Sequence, residues 1–200
     1  MIHKDNMKGV CIFLAEGFED VEALATCDVL RRGGVPVELV STTEDPFVVS
    51  SHGVAVGADS SFDYFILNVD RSSADEKDVM IFPGGMPGTK NLAANMPLME
   101  LMQEHYAQGG TVAAICAAPG LVFGQLDEVK GKTMTCFDGF EDGLAAKGAS
   151  FVPKPAVTDG RIITGRSAGH AVAFGLEILK RIKGESVADN VRHAMMLETC

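Results

Sequence analysis

Short apolar runs rich in β-branched residues alternate with amphipathic stretches along most of this 200-residue chain. The apolar runs predict buried strands, and the stretches between them carry apolar residues at helical spacing. Because parallel strands need a crossover connection, such alternation is typical of βα units around a parallel sheet. The sequence therefore predicts an α/β protein whose strands include residues 10–14, 35–41, 79–82 and 111–115.

Helix-forming stretches separate these strands. The first is predicted from about Glu19 to Arg32, the second opens at Pro97, and a third runs from about Ala168 to Ile182. Asp159–Gly160 predicts a hairpin turn, and the glycines within residues 42–60 indicate a smaller hairpin or irregular excursion. In the first helix the apolar spacing predicts an inward face formed by Val21, Leu24, Ala25 and Val29.

The length of 200 residues and the hydrophobic fraction of 46% suit one compact domain. We expect that domain to span residues 7–195, and residues 1–6 to form a disordered extension. The net charge of −10 disfavours nucleic acid and anionic membranes as partners. No apolar run reaches the roughly 18 residues of a membrane span, and the first residues lack a secretion signal. These features predict a cytoplasmic protein.

The cysteines favour reduced thiols over a disulfide framework, because their number is odd and their spacing irregular. Such usage agrees with the cytoplasmic location predicted above. The chain has no C-x-x-C motif, so we expect no metal site. The five cysteines are Cys11, Cys27, Cys116, Cys136 and Cys200.

Cys116 is the strongest candidate for a catalytic nucleophile. Ligands of open α/β sheets bind beyond the carboxyl ends of the strands, and Cys116 directly follows residues 111–115. Its small neighbours Ala114, Ala117 and Ala118 suit the tight strand-to-helix turn of a nucleophile elbow. The N-terminus of the following helix is expected to lower the thiol pKa. The alternative, a buried cysteine that acts as a small hydrophobe, stays open.

Glu22 and the glycine-rich loop after residues 79–82 add to this candidate site. The Glu22 carboxyl is expected either to face the crevice or, like that of Glu19, to stay solvated and complement the helix dipole. The N–H groups of Gly84 and Gly85 are candidates for an oxyanion pocket, together with that of Ala117. For the two glycines, a tight turn with no chemical role is the alternative.

The histidines bear on whether Cys116 belongs to a protease. A Cys-His protease needs an imidazole within hydrogen-bond reach of the sulfur, yet Ala117 directly follows the cysteine. His52 and His170 are the candidates to fold inward, and either also suits a surface or capping role. The remaining three are expected at the surface: His3, His105 and His193.

Four stretches resemble the ThiJ/PfpI superfamily, and most closely its DJ-1/YajL branch. The resemblance runs in order and at fitting spacing from residue 7 to residue 195. It implies a flavodoxin-like three-layer α/β sandwich with a mostly parallel sheet, a nucleophile elbow and a homodimeric assembly. The four stretches are FLAEGFEDVE at 13–22, FPGGMPG at 82–88, AAICAAP at 113–119 and TGRSAG at 164–169.

The resemblance also implies roles for individual residues. Cys116 matches the nucleophilic, oxidation-sensitive cysteine, and Glu22 matches a glutamic acid that stays protonated to donate a hydrogen bond to the sulfur. Gly85 and Ala117 match the oxyanion donors. Two arginines frame the family's pocket near the dimer contact, and the matching positions here are Arg32 and His52.

Three departures from the family pattern stand out. Cys136 occupies the position where many relatives place a histidine near the cysteine, so it is a candidate to resolve an oxidised Cys116 as a disulfide. Ser167 and Ala168 stand where some relatives have Gly-Pro before the last helix. Ala117 replaces the histidine of the protease-type branch, which disfavours a cysteine peptidase.

By this resemblance, the leading hypothesis is a cofactor-independent hydrolase or lyase that acts on methylglyoxal or its protein adducts. The Cys116 thiolate would attack the aldehyde, and protonated Glu22 would shuttle a proton, as in the glyoxalase III or deglycase activity of relatives. The alternative is a redox-sensing, chaperone-like stress protein that uses oxidation of Cys116. Both hypotheses share the same residues, so the sequence does not separate them.

Overall fold

The computed structural model describes residues 9–69 and 73–197, so the predicted extension over residues 1–6 lies outside the described chain. The central sheet consists of β1 (Val10–Leu14), β2 (Val37–Ser41), β5 (Ser60–Ser61), β6 (Val79–Phe82), β7 (Thr111–Ile115), β10 (Ala156–Asp159) and β11 (Ile162–Gly165). Its strand order is β10-β11-β7-β6-β1-β2-β5. All neighbouring strands pair in parallel except β10 and β11, which form the hairpin predicted around Asp159–Gly160.

Two small sheets lie outside the central one. One is the antiparallel pair β3 (Phe47–Val49) and β4 (Ala55–Gly57), which confirms a hairpin within residues 42–60. The other pairs β8 (Thr133–Met134) with β9 (Ser150–Phe151) in parallel. The helices are α1 (Asp20–Arg32), α2 (Phe62–Asn68), α3 (Gly88–Ala94), α4 (Met96–Ala107), α5 (Ala118–Leu121), α6 (Glu141–Ala145), α7 (Ala171–Lys183) and α8 (Glu185–Ala194).

The helices cover both faces of the central sheet and give three layers, as predicted for an α/β sandwich. Side chains of β1 alternate between the two faces, so that Ile12 packs with α1, α7 and α8 while Phe13 packs with α2 and α4. Phe13 stacks on Phe82 at 5.6 Å between ring centroids. Each such ring, fully buried, stabilises the fold by roughly 2 kcal/mol. α1 approaches α7 closely at Gly175, where a Cβ atom would lie only 3.0 Å from Val29.

The carboxyl ends of β1, β6 and β7 lie side by side at one edge of the sheet. Ile12 is in register with Ile81, and Phe82 is in register with Ala114. The loops that follow these three strands therefore meet at one place. They contain residues 15–19, 83–87 and 116–117.

The inward face of α1 differs from the predicted one. Val21 and Leu24 are exposed, at 48% and 37% of their surface, although Val29 is buried as expected. α1 is rotated about its axis so that Glu22 enters the interior and small side chains pack against α7. The spacing of apolar residues alone does not predict this rotation. The buried residues of α1 are Glu22, Ala23, Thr26, Cys27, Val29 and Leu30.

His105 was predicted at the surface, and that prediction is wrong. Its side chain is buried in α4, where Nε2 lies 3.0 Å from the carbonyl oxygens of both Asp78 and Thr111. The ring also lies over Gly110, since a Cβ atom there would overlap it. These partners lie up to 27 residues away along the chain, so the local sequence does not predict them.

Four helices were not predicted, namely α2, α3, α6 and α8. α3 follows the glycine-rich loop within a few residues, and α8 follows α7 after Gly184, whose φ of +88° favours glycine. Within residues 9–69 and 73–197, none of the helices combines the length and the apolar character that crossing a bilayer requires.

Candidate active site

Cys116 lies in a sharp turn between β7 and α5. Its φ of +66° falls in the left-handed region that side chains other than glycine rarely adopt. Two backbone hydrogen bonds fix the turn: Cys116 N donates to Gly165 O at 3.0 Å, and Phe137 N donates to Cys116 O at 2.8 Å. This is the geometry of a nucleophile elbow, in which local strain is maintained by the surrounding structure.

The Glu22 carboxyl and the Cys116 thiol lie close together on the same side of Gly84, and Glu22 Oε1 is buried with no hydrogen-bond partner among the described residues. α1 supplies Glu22 from its first turn, while β7 supplies Cys116 from its carboxyl end. Gly84 makes the contact possible, because a Cβ atom there would lie 2.5 Å from Glu22 Oε2 and 2.6 Å from Cys116 Cβ. Glu22 is almost fully buried, whereas Cys116 retains partial exposure. The structure therefore brings together the two residues that the sequence singled out.

The glycine loop contributes backbone amides in two different ways. Gly84 N donates to Glu22 Oε2 at 2.8 Å, so this amide orients the carboxyl. The sequence had suggested that the Gly84 amide would bind a reacting oxygen, but it is occupied by Glu22. The amides of Gly85 and Ala117 instead lie near enough to the Cys116 sulfur to lower the pKa of the thiol. These two N–H groups are placed to stabilise negative charge on sulfur or on an oxygen bonded nearby.

Burial raises the pKa of both members of the pair, and the Glu22 charge raises that of the Cys116 thiol further. Burial raises the pKa of Glu22 to about 7, although the nearby Cys116 thiol and the hydrogen bond from Gly84 N oppose the shift. Burial, followed by the Glu22 charge, raises the pKa of the Cys116 thiol to about 12. The expected lowering of the thiol pKa is therefore wrong, because desolvation and a neighbouring carboxylate outweigh the amides at the start of α5. The pair carries one proton and one negative charge from about pH 7 upward.

Glu19 and His52 lie at the start of α1 rather than against the sulfur. Glu19 Oε2 accepts a hydrogen bond from Glu22 N at 2.7 Å and so caps the helix. His52, from the loop between β3 and β4, lies 2.7 Å from Asp20 through its Nδ1 atom. This contact raises the pKa of His52 and lowers that of Asp20. Ligand atoms of Glu19, Asp20 and His52 lie within 4.8 Å of one another, a donor set suited to a divalent cation.

Arg32 and Cys136 do not join the Glu22–Cys116 pair within one chain. Arg32 lies at the far end of α1, about 15 Å along the helix axis from Glu22, and pairs with Asp28 at 2.7 Å. Cys136 is fully buried in the cluster on the α4 face, whereas Cys116 packs against the cluster on the α1 face. Both thiols are free. Burial raises the pKa of Cys136 to about 12.

Ser167 and Ala168 lie between β11 and α7. Ser167 Oγ is 2.8 Å from His170 Nδ1, and Ala168 begins a short 3-10 turn that ends at His170. Gly165, two residues before Ser167, accepts a hydrogen bond from Cys116 N through its carbonyl oxygen, so this segment lies beside the elbow. The two histidines expected to fold inward thus take partners other than the sulfur: Asp20 for His52 and Ser167 for His170.

Sequence reasoning missed two exposed apolar residues that adjoin the site along the backbone. Met86 follows Gly85 directly, and Phe137 donates its amide to the Cys116 carbonyl. Both are substantially exposed, at 39% for Met86 and 46% for Phe137. Gly85 and Cys136, which directly precede them, were already candidate site residues, so Met86 and Phe137 could have been found from their adjacency in sequence.

Comparison with known proteins matches this architecture. A sequence model of the DJ-1/PfpI family matches residues 8–181. Protein DJ-1 homolog A of Arabidopsis thaliana is 33% identical over 95% of this chain and 47% of its own length. The Parkinson disease protein 7 homolog of Danio rerio is 29% identical over 96% of this chain and 98% of its own length. The chain spans about half the length of the Arabidopsis relatives, at 47% and 42%.

Solved structures agree with this match. A DJ-1 superfamily protein of Salmonella typhimurium has a TM-score of 0.83 and 30% identity, covering 94% of this chain and 97% of its own. The oxidised DJ-1 of Toxoplasma gondii has a TM-score of 0.84 and 25% identity, also covering 94% and 97%. The fold is therefore shared across nearly the whole of both chains.

Proposed function

This chain belongs to the DJ-1/PfpI family, and from that premise we propose that it is a cofactor-independent enzyme for methylglyoxal and its protein adducts. The observation that carries the proposal is the close approach of the Glu22 carboxyl and the Cys116 thiol to each other beside Gly84. The Gly85 and Ala117 amides lie near enough to lower the pKa of the thiol. These groups supply a nucleophile, a proton carrier and an oxyanion pocket in one small space.

The first step joins Cys116 to the aldehyde. Glu22 takes the thiol proton while sulfur forms a bond to the aldehyde carbon, and the carbonyl electron pair moves to its oxygen. The Gly85 and Ala117 amides stabilise that oxygen until Glu22 returns the proton to it. The product is a hemithioacetal on Cys116. Because Glu22 has a pKa of about 7, it can both accept and donate a proton near neutral pH.

The second step moves hydrogen between the two carbons. Glu22 removes the proton from the carbon bonded to sulfur and delivers it to the adjacent ketone carbon through an enediol. One carbon is oxidised to a thioester and its neighbour is reduced to an alcohol, so no external oxidant or reductant is needed. Water then adds to the thioester, the carbon–sulfur bond breaks, and lactate leaves with the thiol restored. With a protein adduct, the Cys116 sulfur would bond to the adduct carbon as the bond from that carbon to the protein's nitrogen or sulfur breaks. Glu22 would pass the thiol proton to the leaving atom, so the side chain is released unmodified.

Lactate production from methylglyoxal without glutathione tests this proposal. Cys116→Ala should abolish turnover, and Glu22→Gln should reduce it by at least about a hundredfold, the usual contribution of a general acid–base group. Cys27→Ala is the matched control, since that thiol is buried in α1. Unchanged turnover by purified Cys116→Ala protein would overturn the proposal.

A redox-sensing, chaperone-like role is the second candidate, and the exposure of Cys116 favours it. Cys11, Cys27 and Cys136 are buried, whereas Cys116 is partly accessible beside two amides and a carboxyl that would stabilise a sulfinate. Mass spectrometry after mild peroxide should find two added oxygens at Cys116 before any at Cys11 or Cys27. Equal oxidation of the three would count against sensing. A peptidase remains disfavoured, because Ala117 stands where the protease branch has histidine.

A homodimer formed through the α1 face belongs to the same proposal. Val21, Leu24, Val49 and Val54 are exposed apolar residues of α1 and the β3–β4 hairpin. A partner seated there would also explain why Arg32, remote from Cys116 in its own chain, matches a pocket residue of the family. Sedimentation at the mass of two chains would support the dimer, and the mass of one would contradict it. The proposal locates the enzyme in the cytoplasm, where free thiols persist.

A further inference from the structure

A cavity of about 480 Å³ lies where β10, α7 and α8 meet. Small-molecule sites commonly have volumes of about 300–1,000 Å³. The described residues that line the cavity belong to β10 and the loop before it, to the turn before α7, to α7, and to α8 with the segment after it. They do not include Cys116 or Glu22, so the cavity is separate from the candidate active site.

Apolar side chains of α7 form one wall of the cavity. Val172, Ala173 and Leu176 fall on one face of the helix, because spacings of three and four residues place side chains on the same side. Leu176 is buried, whereas Val172 and Ala173 are half-buried. Ala156 of β10 and Leu197 after α8 add further apolar surface. An apolar group that enters the cavity is therefore removed from water, which favours binding.

Gly169 leaves room in the wall beside α7. A Cβ atom at Gly169 would meet nothing within 4 Å other than neighbouring residues of its own turn. The loop before β10 is held in place, because Arg166 N donates to Pro155 O at 3.0 Å. Ala156 continues this wall within the β10–β11 pair. A cavity whose walls are already fixed loses little conformational entropy when a ligand binds.

Cationic side chains outnumber carboxylates in the described lining of the cavity. Lys154 lies two residues before β10, and Arg192 lies in the last turn of α8. Lys154 forms no ion pair within the described part of the chain, and Arg192 approaches Asp189 only at 3.9 Å. The carboxylate is that of Glu177, whose Oε2 accepts a hydrogen bond from Thr158 Oγ1 at 3.0 Å. The lining therefore carries a local excess of positive charge on a chain whose net charge is −10.

We infer that this cavity binds a free monocarboxylate with an unbranched hydrocarbon tail of medium length. The carboxylate pairs with Lys154 and Arg192, while the tail lies against Val172, Ala173 and Leu176. A single negative charge suits this place better than many, because a chain of net charge −10 repels acidic peptides and anionic membranes at long range. The inference goes beyond the proposed function, since the ligand is bound here without being changed.

Isothermal titration calorimetry with hexanoate, octanoate and decanoate tests the inference on the unmodified protein. The association constant should rise about fourfold for each CH₂ group that enters the cavity. Octanamide has the tail of octanoate without its charge, so it should bind about tenfold more weakly. Equal binding of octanoate and octanamide would contradict the ion pairs, and an affinity independent of tail length would contradict the apolar wall. Either result, or no saturable binding at all, would overturn the inference.

Variants locate the binding within the protein. The octanoate affinity should fall about tenfold in the double variant Lys154→Gln/Arg192→Gln, which should also lose the preference for octanoate over octanamide. Lys183→Gln is the matched control and should bind octanoate normally, because Lys183 is an exposed residue of α7 outside the cavity lining. Gly169→Leu should abolish binding, since the added side chain has room to project into the space that the ligand needs. Undiminished binding by Gly169→Leu would overturn the inference.

Cys116→Ala separates this inference from the proposed function. This variant should bind octanoate with unchanged affinity, although it should not turn over methylglyoxal. Loss of octanoate binding in Cys116→Ala would place the ligand at the active site and overturn the inference. Unmodified protein that binds octanoate but produces no lactate from methylglyoxal would overturn the proposed function alone.

Discussion

The Glu22 carboxyl and the Cys116 thiol occupy the space that a side chain at Gly84 would fill. A Cβ atom at Gly84 would lie 3.1 Å from Cys116 Sγ and closer still to Glu22 Oε2. The same glycine donates its amide to the carboxyl at 2.8 Å. One residue without a side chain thus both admits and orients the reacting pair.

Gly84→Ala should therefore abolish turnover. The added methyl group must push Glu22 away from the sulfur or strain the loop, which should also lower the free energy of unfolding by about 1–3 kcal/mol. Urea denaturation and lactate production measure the two effects. Gly57→Ala is the control, because a Cβ atom there makes only an ordinary 3.6 Å contact with Phe47. Full activity in Gly84→Ala would show that the pair does not need its present separation.

The rate should depend on pH through the Glu22 proton. Attack requires the form of the pair that has lost one proton, and Glu22 gives it up near pH 7, its raised pKa. The kcat/KM value should therefore rise about tenfold per pH unit below 7 and level off above it. Glu22→Gln should remove this dependence.

Glu19→Gln provides a sharper version of the same test. Glutamine keeps an oxygen that can cap α1, but it removes the charge that helps to raise the pKa of Glu22. The midpoint of the pH profile should then move to lower pH. A midpoint that stays in place would mean that Glu22 is not the titrating group.

Strain at Cys116 predicts a difference in stability between two inactive variants of this residue. A left-handed residue with a side chain costs about 1 kcal/mol more than glycine in the same conformation. Cys116→Gly should accordingly be more stable to urea than Cys116→Ala by about 1 kcal/mol, although both lack the thiol and should be inactive. Equal stability of the two variants would contradict a strained elbow.

His105 should make the fold sensitive to acid. Its Nε2 atom faces two carbonyl oxygens and must carry the proton, while Nδ1 is buried with no hydrogen-bond partner among the described residues. Burial lowers the pKa of His105, so between its ordinary value of 6.5 and the lower folded value the unfolded chain binds more protons. The free energy of unfolding should fall as the pH drops below 6.5.

His105→Gln checks this origin of acid sensitivity. Its amide nitrogen can still donate to a carbonyl, but it does not titrate, so the loss of stability between neutral pH and pH 5 should be smaller. The exposed His193 supplies the control His193→Gln. An unchanged slope in His105→Gln would place the sensitivity elsewhere.

The fold class, the strands that carry the site and the choice of Glu22 and Cys116 as candidates could be predicted from the sequence, because they depend on local patterns. Apolar runs mark β1, β6 and β7, and the small residues around Cys116 mark a tight turn at the end of one of them. Because parallel strands end at the same edge of a sheet, the loops that follow β1, β6 and β7 are expected to meet there. Glu22 could be proposed from its place at the edge of a helix face, and the resemblance to a family strengthened that choice.

What could not be predicted depends on distant contacts. The rotation of α1 is set by packing on α7, which buries Glu22 and exposes Val21 and Leu24 against the expected pattern. The partner of the Gly84 amide is 62 residues away in sequence. The thiol pKa follows from burial beside Glu22, so an argument from the helix N-terminus alone gave the wrong direction.

The hydrogen bond from Glu22 N to Glu19 Oε2 decides at which residue α1 starts. Successive residues of a helix are rotated by about 100° around its axis, so packing on α7 sets the direction in which Glu22 points, while the cap keeps Glu22 within the ordered first turn. In the proposed reaction, two contacts that never touch a substrate, the cap at Glu19 and the packing on α7, therefore hold the Glu22 carboxyl beside the sulfur.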